Sequence, residues 1–412
     1  MKQAGYNLSK AKTKNVALVK NTIYRKKSIS RHDIAEILKL TPATITMITN
    51  VLIESGDICE KSIDSSLVKQ RAGRKPVLLE YVKNSSYFIG IENGPYGICF
   101  VLTNLLGEII IKRYNPSIKL ILTNQEELND LLKIINETIN EMCKSTKISK
   151  SLIKGIGFGT LGEVVKDTGI VHFSNSSYLY SKQNIYNAIT EATNIRTYAI
   201  NNVKARAIAV EMNKIEFSNF SFLYLFASKG VVCPYVYSSF VNSHTLITDG
   251  EIGDMTVQAD LNNLYNEKGT LKSLANENAL LSNCKKLLKE NKASILKDIL
   301  KDRSMDSMTK EDLLLADING DKDVQKVIYE AIQYLAIAGS NLVNMLNPNE
   351  LYVDNFMFDN MVNRENFKEI LNKKIYSSNY NNTQIKFIKY DLYNGAISAA
   401  FSAIKYFYIQ GE

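Results

Sequence analysis

The chain has 412 residues, 45% of them hydrophobic and 22% charged, with a formal net charge of +8. That length predicts two or three domains, each burying its own core, and no apolar run approaches the roughly 20 residues of a membrane helix. Five cysteines (Cys59, Cys99, Cys143, Cys233 and Cys284) are odd in number, far apart and form no CxxC pair, which argues against a disulfide framework or a cysteine zinc cluster.

The N-terminus lacks an apolar signal core, so the expected compartment is the cytoplasm, with no membrane partner. Charge is unevenly spread. Residues 1–83 hold 16 Lys and Arg against 7 Asp and Glu, a balance of +9, whereas the other 329 residues hold 34 against 35, a balance of −1. Localised basicity is the footprint of a phosphate-binding module, or else of a solvated basic tail.

Three short helices are predicted in this basic stretch. The first covers about Asn15–Lys26, with Val16, Val19 and Ile23 on one face. The second opens on Ser30-Arg31-His32-Asp33, where Ser30 caps the free N–H groups and Asp33 reaches back as in a capping box; Ile34 and Leu38 share its face. The third opens on Thr41-Pro42, an N-cap followed by a proline at the first helical position. Ile45, Ile48 and Leu52 form its buried stripe, which leaves Ala43, Thr44, Thr46, Met47 and Asn50 facing outward. The turn before it, Lys39-Leu40, is short. Small polar residues at the exposed start of such a helix suit the major groove.

Two β-like runs follow, Ile58–Ile63 and Pro76–Val82, around Lys69-Gln70-Arg71-Ala72-Gly73-Arg74-Lys75. Two strands with a basic tip form a wing. Arg71 and Arg74, either side of Gly73, suit a narrow A·T-rich minor groove. The predicted contacts to double-stranded DNA are Ser30, Arg31, Thr41, Ala43, Thr44, Thr46, Met47, Asn50, Lys69, Arg71, Gly73, Arg74 and Lys75. The competing reading, a three-helix protein-interaction module, explains neither the wing nor the concentrated charge.

Further along, Tyr87–Gly94, Gly97–Thr103 and Glu108–Tyr114 read as strands, the last two as a hairpin. A helix is predicted over Gln125–Lys144, and Lys154–Phe173 reads as glycine-rich β. Strand and helix signals then alternate: strand Phe222–Ala227, helix Lys322–Leu346, strands Leu351–Asp354 and Ile385–Tyr390, and helix Gly395–Tyr408.

Four phrases carry a family resemblance: Ser30-Arg31-His32-Asp33-Ile34-Ala35, Leu40-Thr41-Pro42-Ala43-Thr44-Ile45-Thr46, Leu52-Ile53-Glu54-Ser55-Gly56 and Gly73-Arg74-Lys75-Pro76-Val77-Leu78-Leu79-Glu80. They resemble the N-terminal region of the ROK family, which holds sugar-responsive repressors and sugar kinases. The resemblance continues to the C-terminus. It implies an α/β chain: an N-terminal winged helix-turn-helix over 1–83, then a two-lobed, actin-like sugar-kinase fold. The first lobe would span 84–200 with the C-terminal helix 395–408 packed on it. The second would span 201–394, for effector binding and dimerisation, and the ligand cleft would lie between the lobes.

The kinase machinery that the resemblance implies is degraded here. A phosphate loop resembling Asp-x-Gly-Gly-Thr reads Glu92-Asn93-Gly94-Pro95-Tyr96, where Pro95 removes a backbone donor and Tyr96 adds bulk. The phrase of the family's base, Asn-Asp-Ala-Asn, reads Asn202-Val203-Lys204-Ala205, followed by a matching Glu211, and valine cannot accept a proton. A second phosphate region reads Ser228-Lys229-Gly230-Val231-Val232, and a late glycine pair reads Asp354-Asn355-Phe356-Met357. The metal phrase Gly-Glu-Ile-Gly-His reads Gly250-Glu251-Ile252-Gly253-Asp254, and Tyr265–Lys272 holds none of the three cysteines that complete it. The expectation is no enzyme, no catalytic residue, no ATP and no zinc or other metal. His32, His172 and His244 are scattered and read as ordinary surface or core residues.

What matches the family's sugar cleft is partial. Glu251 corresponds to a sugar-hydroxyl ligand, Asn175 and Asn202 to polar contacts, and Gly159 and Gly162 to a glycine turn. Asp254 replaces the histidine, and Lys272 replaces a second glutamate; Lys272 can neutralise Glu251 or Asp254, or bind an anion. The implied effector is a sugar or an acidic metabolite, the alternative being a residual turn with no ligand. Together these residues read as a transcriptional repressor that binds an inverted repeat as a homodimer, or as a tetramer. The alternatives are a constitutive DNA-binding protein with a ligand-free dimerisation scaffold, or an active sugar kinase.

Overall fold

The N-terminal helices form where caps and apolar spacing direct them. In a computed structural model that describes residues 8–62, 77–117, 125–165, 171–172, 184–215, 219–239, 244–258, 269–376 and 383–411, helix α1 spans Leu8–Lys26. It starts earlier than the expected Asn15 because its first two turns carry good helix formers, Lys and Ala, without an apolar stripe to betray them. A three-residue strand follows, β1 (Ser28–Ser30), too short to show an alternating pattern. Then come α2 (Arg31–Leu38), α3 (Pro42–Glu54), β2 (Ile58–Ser62) and β3 (Val77–Tyr81). The strands form one antiparallel sheet in the order β1-β3-β2. Val19, Ile23, Ile34, Ile45, Ile48, Leu52, Ile58 and Leu79 are the buried core of this module.

The same compact unit continues through β4 (Tyr87–Gly94), β5 (Gly97–Asn104), β6 (Ile109–Asn115), α4 (Gln125–Thr146), β7 (Ile153–Thr160), the small pair β8 (Glu163–Val164) and β9 (Val171–His172), α5 (Ile185–Thr193), β10 (Thr197–Asn201) and α6 (Asn202–Met212). Its main sheet has the order β10-β7-β4-β5-β6: an antiparallel meander extended by two parallel strands. One face of the sheet packs Ile89, Ile91, Ile156 and Phe158 against Leu131, Ile135 and Ile139 of α4. The other receives the C-terminal helix Asn394–Ala403 at very short range. A Cβ on Gly90 would lie 1.8 Å from the Ala396 carbonyl oxygen, and one on Gly157 1.8 Å from that of Ala399. Only glycine lets the two backbones approach so closely.

The C-terminal helix also packs on α6. That packing moves the boundary between the two compact units. The first unit holds the described residues through 215, together with those from 392 onward, so the expected break at 200 is corrected to the stretch before 219.

The second unit holds β11 (Phe220–Ala227), β12 (Val231–Val232), β13 (Tyr235–Ser239), β14 (His244–Ile247), α7 (Leu271–Ala275), α8 (Glu277–Lys289), α9 (Ser294–Leu300), α10 (Lys310–Ile318), α11 (Lys322–Leu346), β15 (Glu350–Asp354), α12 (Met361–Lys374) and β16 (Gln384–Ile388). Its sheet runs β14-β13-β11-β15-β16, with β11, β15 and β16 parallel. The apolar stripe of α11, including Ile328, Ile332, Leu335 and Val343, belongs to its core.

Within that unit Asp317 is buried at the end of α10. The side-chain amides of Asn360 and Asn363 donate to its Oδ2 at 2.9 and 2.8 Å, while its Oδ1 accepts no hydrogen bond from a described residue. Burial dominates and holds the carboxyl above its usual range. A raised pKa means that the folded state binds the proton more tightly than the unfolded one. This group therefore costs stability as pH rises through its folded pKa, and the cost vanishes at low pH. The stability advantage of the wild type over Asp317→Asn, read as melting temperatures, should shrink as pH rises from about 4 through the folded pKa and then level off. A constant difference would refute the assignment.

Candidate functional site

Helix α3 is set by local chemistry. Thr41 caps it, accepting from the Thr44 N–H at 3.3 Å, and Pro42 occupies the first turn. Between α2 and α3, Lys39 takes a left-handed conformation (φ 53°), so a two-residue turn suffices. Ile45, Ile48 and Leu52 face the core, and Ala43, Thr46, Met47, Asn50 and Val51 are exposed, with Thr44 half-buried.

Two of the expected DNA contacts have other duties. Ser30 is buried as the cap of α2: its hydroxyl accepts from the Asp33 N–H at 3.1 Å and donates to the Asp33 carboxylate at 2.8 Å. The reciprocal bond of a capping box is not made, and Ser30 also belongs to β1, which pairs with β3. The guanidinium of Arg31 is a brace. It donates to Thr49 at 2.9 Å and to Asn50 at 3.4 Å, and pairs with Glu60 at 2.7 Å. It thereby ties α2 to both α3 and β2. The wing residues Lys69, Arg71, Gly73, Arg74 and Lys75 lie outside the described residues; β2 and β3, which flank them in sequence, pair from Ile58–Tyr81 to Ser62–Val77.

A second set of residues seats this module on the rest of the first unit. Arg25 of α1 is 4% exposed and Glu211 of α6 is 3% exposed, and the two form an ion pair. Lys405, in the π-helical turn Ile404–Gln410, approaches the other Glu211 oxygen at 2.9 Å. Beside this triad Tyr81 packs edge-on against Tyr408 (5.5 Å between centroids) and against Tyr24 (6.1 Å). The ammonium of Lys20 donates to the Tyr408 carbonyl at 3.0 Å and lies 4.3 Å from its ring. Burial raises the hydroxyl pKa of all three tyrosines, so they stay neutral.

The residues matched to a ligand cleft separate into two groups. In the first unit, Gly159 ends near the backbone of Asn202, and Gly162 takes a positive φ of 85° and offers its carbonyl to the Asn201 amide at 2.9 Å. Asn202 is 3% exposed, and its amide donates to Glu92 Oε1 at 3.2 Å. Arg206, one turn along α6, donates to the same oxygen at 2.9 Å. Asn202 is therefore a buried partner of Glu92 rather than an open ligand contact, which corrects the expectation. Val203 is buried at the first turn of α6. Asn175 lies outside the described residues. In the second unit, Lys272 pairs with Asp254 at 2.5 Å, and its N–H donates to the Gly253 carbonyl at 2.8 Å; Glu251 is exposed.

Sequence reasoning missed Arg206, Arg25 and Lys405. Arg206 was within reach, four residues after Asn202 on one helix, where side chains share a face. The partners of Glu211 were not, since they lie 186 and 194 residues away.

Residues 88–405 match the ROK family. The xylose repressor of Caldicellulosiruptor bescii is 27% identical over 382 residues, 91% of each chain. The xylose repressor of Bacillus subtilis is 25% identical over 350 residues, 84% of this chain and 83% of that one. Among solved structures, a ROK family transcriptional regulator described as a homologue of the E. coli MLC protein superposes with a TM-score of 0.71 at 19% identity, covering 97% of each chain. A glucokinase from Streptomyces griseus in complex with glucose and AMPPNP gives 0.58 at 15% identity, over 77% of this chain and 99% of that one. The α/β architecture with mixed sheets is common to this chain and the two solved structures.

Removing one partner of a buried ion pair strands the other charge, at a cost of about 3–5 kcal/mol. Glu211→Ala removes the carboxylate shared by Arg25 and Lys405. It should lower the urea midpoint of the first unit, followed by tyrosine fluorescence, and Glu211→Gln should recover part of the loss. An unchanged midpoint for Glu211→Ala would contradict the geometry.

Proposed function

The chain belongs to the ROK family, and from that premise we propose that it is a DNA-binding transcriptional repressor whose kinase-like region does no chemistry. The carrying observation is the contrast between its two ends. At the N-terminus a braced helix, α3, presents an exposed face within a module of net charge +9. In the kinase-like region the base position is the buried Val203, and Glu92 is engaged by Arg206 and Asn202. The names of the curated relatives, xylose repressors, support the same reading.

In this proposal α3 enters the major groove as the recognition helix of a winged helix-turn-helix. Arg71 and Arg74 of the wing reach the adjacent minor groove. A homodimer reads an inverted repeat, with half-sites one or more helical turns apart. The effector is a sugar, xylose being the first to test, or an acidic metabolite drawn to Lys272. Neither ATP nor zinc takes part. Helix α6 is the proposed link. Asn202 stands at its start, among the cleft-matched residues, and Glu211 in its last turn, under the DNA-binding module. A shift of α6 on effector binding moves Arg25, and with it α1.

One observation favours a constitutive binder with no effector: Asp254, Lys272 and Asn202 are already paired within the protein. Thermal shift against a panel of sugars, phosphosugars and acidic metabolites separates the two. A reproducible rise lost in Glu251→Ala supports sensing, and no rise with any compound supports the scaffold reading.

For DNA binding, nuclease footprinting across candidate promoters should give a protected inverted repeat. Arg74→Ala should weaken binding and reduce the slope of log affinity against log salt by about 1. No selective protection at any promoter would reject the proposal. Incubation with ATP and any hexose or pentose should consume no nucleotide above background, and steady turnover abolished by Glu251→Ala would reject catalytic inactivity.

A further inference from the structure

Helix α3 contains no lysine or arginine. Its exposed surface is two rows of side chains. Ala43, Met47 and Val51 recur at every fourth position, with Met47 50% and Val51 60% exposed. Pro42, Thr46, Asn50 and Glu54 form the neighbouring row. The threonine hydroxyls of this helix are engaged inside the module. Thr46 donates to the Pro42 carbonyl at 2.9 Å, Thr44 and Thr41 bond each other at 2.9 Å, and Thr49 donates to the Thr46 carbonyl at 3.2 Å while accepting from Arg31. The Asn50 carbonyl oxygen accepts from Arg31 at 3.4 Å.

The face therefore offers methyl and thioether groups and one amide, with the Glu54 carboxylate at its C-terminal end. It holds neither a guanidinium nor an ammonium, the groups that pair with guanine O6 and N7. In the major groove the base edge complementary to an apolar row is the 5-methyl group of thymine. Phosphate attraction comes from the basic residues elsewhere in the module, so affinity and base choice rest on different side chains.

Resting on the DNA-binding reading above, we infer that α3 selects thymine-containing steps by apolar contact. Met47 and Val51 meet the thymine methyls, Ala43 completes the row, and Met47 is the principal specificity-determining residue. Because Met47 is half-exposed and lies outside the buried stripe of α3, its substitution leaves the fold intact.

The test uses the full chain and a library of random-sequence duplexes. Selection should enrich a half-site containing successive A·T pairs. In fluorescence anisotropy, replacing each of its thymines by deoxyuridine removes one methyl group and nothing else. Each replacement at a contacted step should weaken binding about fourfold, the equivalent of one buried methylene-sized group. Met47→Ala should weaken binding to the thymine duplex and abolish the penalty for deoxyuridine at one or more steps. A half-site fixed by G·C pairs, or one indifferent to deoxyuridine, overturns the inference while leaving DNA binding intact. A Met47→Ala variant that changes the oligomeric state and not base choice overturns it in favour of a protein interface. If no sequence is enriched at all, the DNA-binding reading fails and the inference with it.

Discussion

The first compact unit depends on a carboxylate shared between two cations. Glu211 lies where α6 ends, Arg25 comes from α1 and Lys405 from the end of the chain, so three remote segments meet at one buried group. Such a cluster adds little net stability relative to apolar packing, yet it is unforgiving of partial loss. Its value is geometric. Charges that cannot be left unpaired fix the register of α1 against α6, and the tyrosines Tyr24, Tyr81 and Tyr408 fill the space beside them. The N-terminal module is thereby seated on the kinase-like sheet rather than hung from it.

The glycines of the sheet make that seat available. Gly90 and Gly157 admit the backbone of the C-terminal helix, whose continuation supplies Lys405 and Tyr408. A Cβ at either position would push the helix away and with it the second cation. The end of the chain thus acts on its beginning. Along α6 the same logic joins a different pair of sites. Asn202 and Arg206 hold Glu92 at one end, and Glu211 holds the N-terminal module at the other, with Asn202 and Glu211 separated by roughly 13 Å of helix.

Much of this was legible in the residues. Thr41-Pro42 and Ser30 fixed two helix starts through capping chemistry, which is local and needs no partner. The stripe Ile45, Ile48 and Leu52 fixed the buried side of α3 and left the correct residues outside. The β1 strand was not legible, being three residues held by a strand some fifty residues away. Arg31 and Asn202 look like ligand contacts in sequence because both are polar groups on otherwise exposed motifs. In the fold, Arg31 braces Thr49, Asn50 and Glu60, and Asn202 serves Glu92, pairings that long-range geometry alone decides. The residues matched to a sugar site show the same limit, since Asp254 and Lys272 read as separate ligands and are found as one ion pair.

The proposed function rests on sequence-specific DNA recognition by the full chain. It is tested most directly by the ratio of two dissociation constants for the full chain at about 150 mM salt: one for its own selected duplex and one for a shuffled duplex of the same composition. A sequence-reading repressor should bind the first at least about a thousandfold more tightly. Equal constants would mean that the basic module holds phosphates alone, and would contradict a sequence-reading repressor.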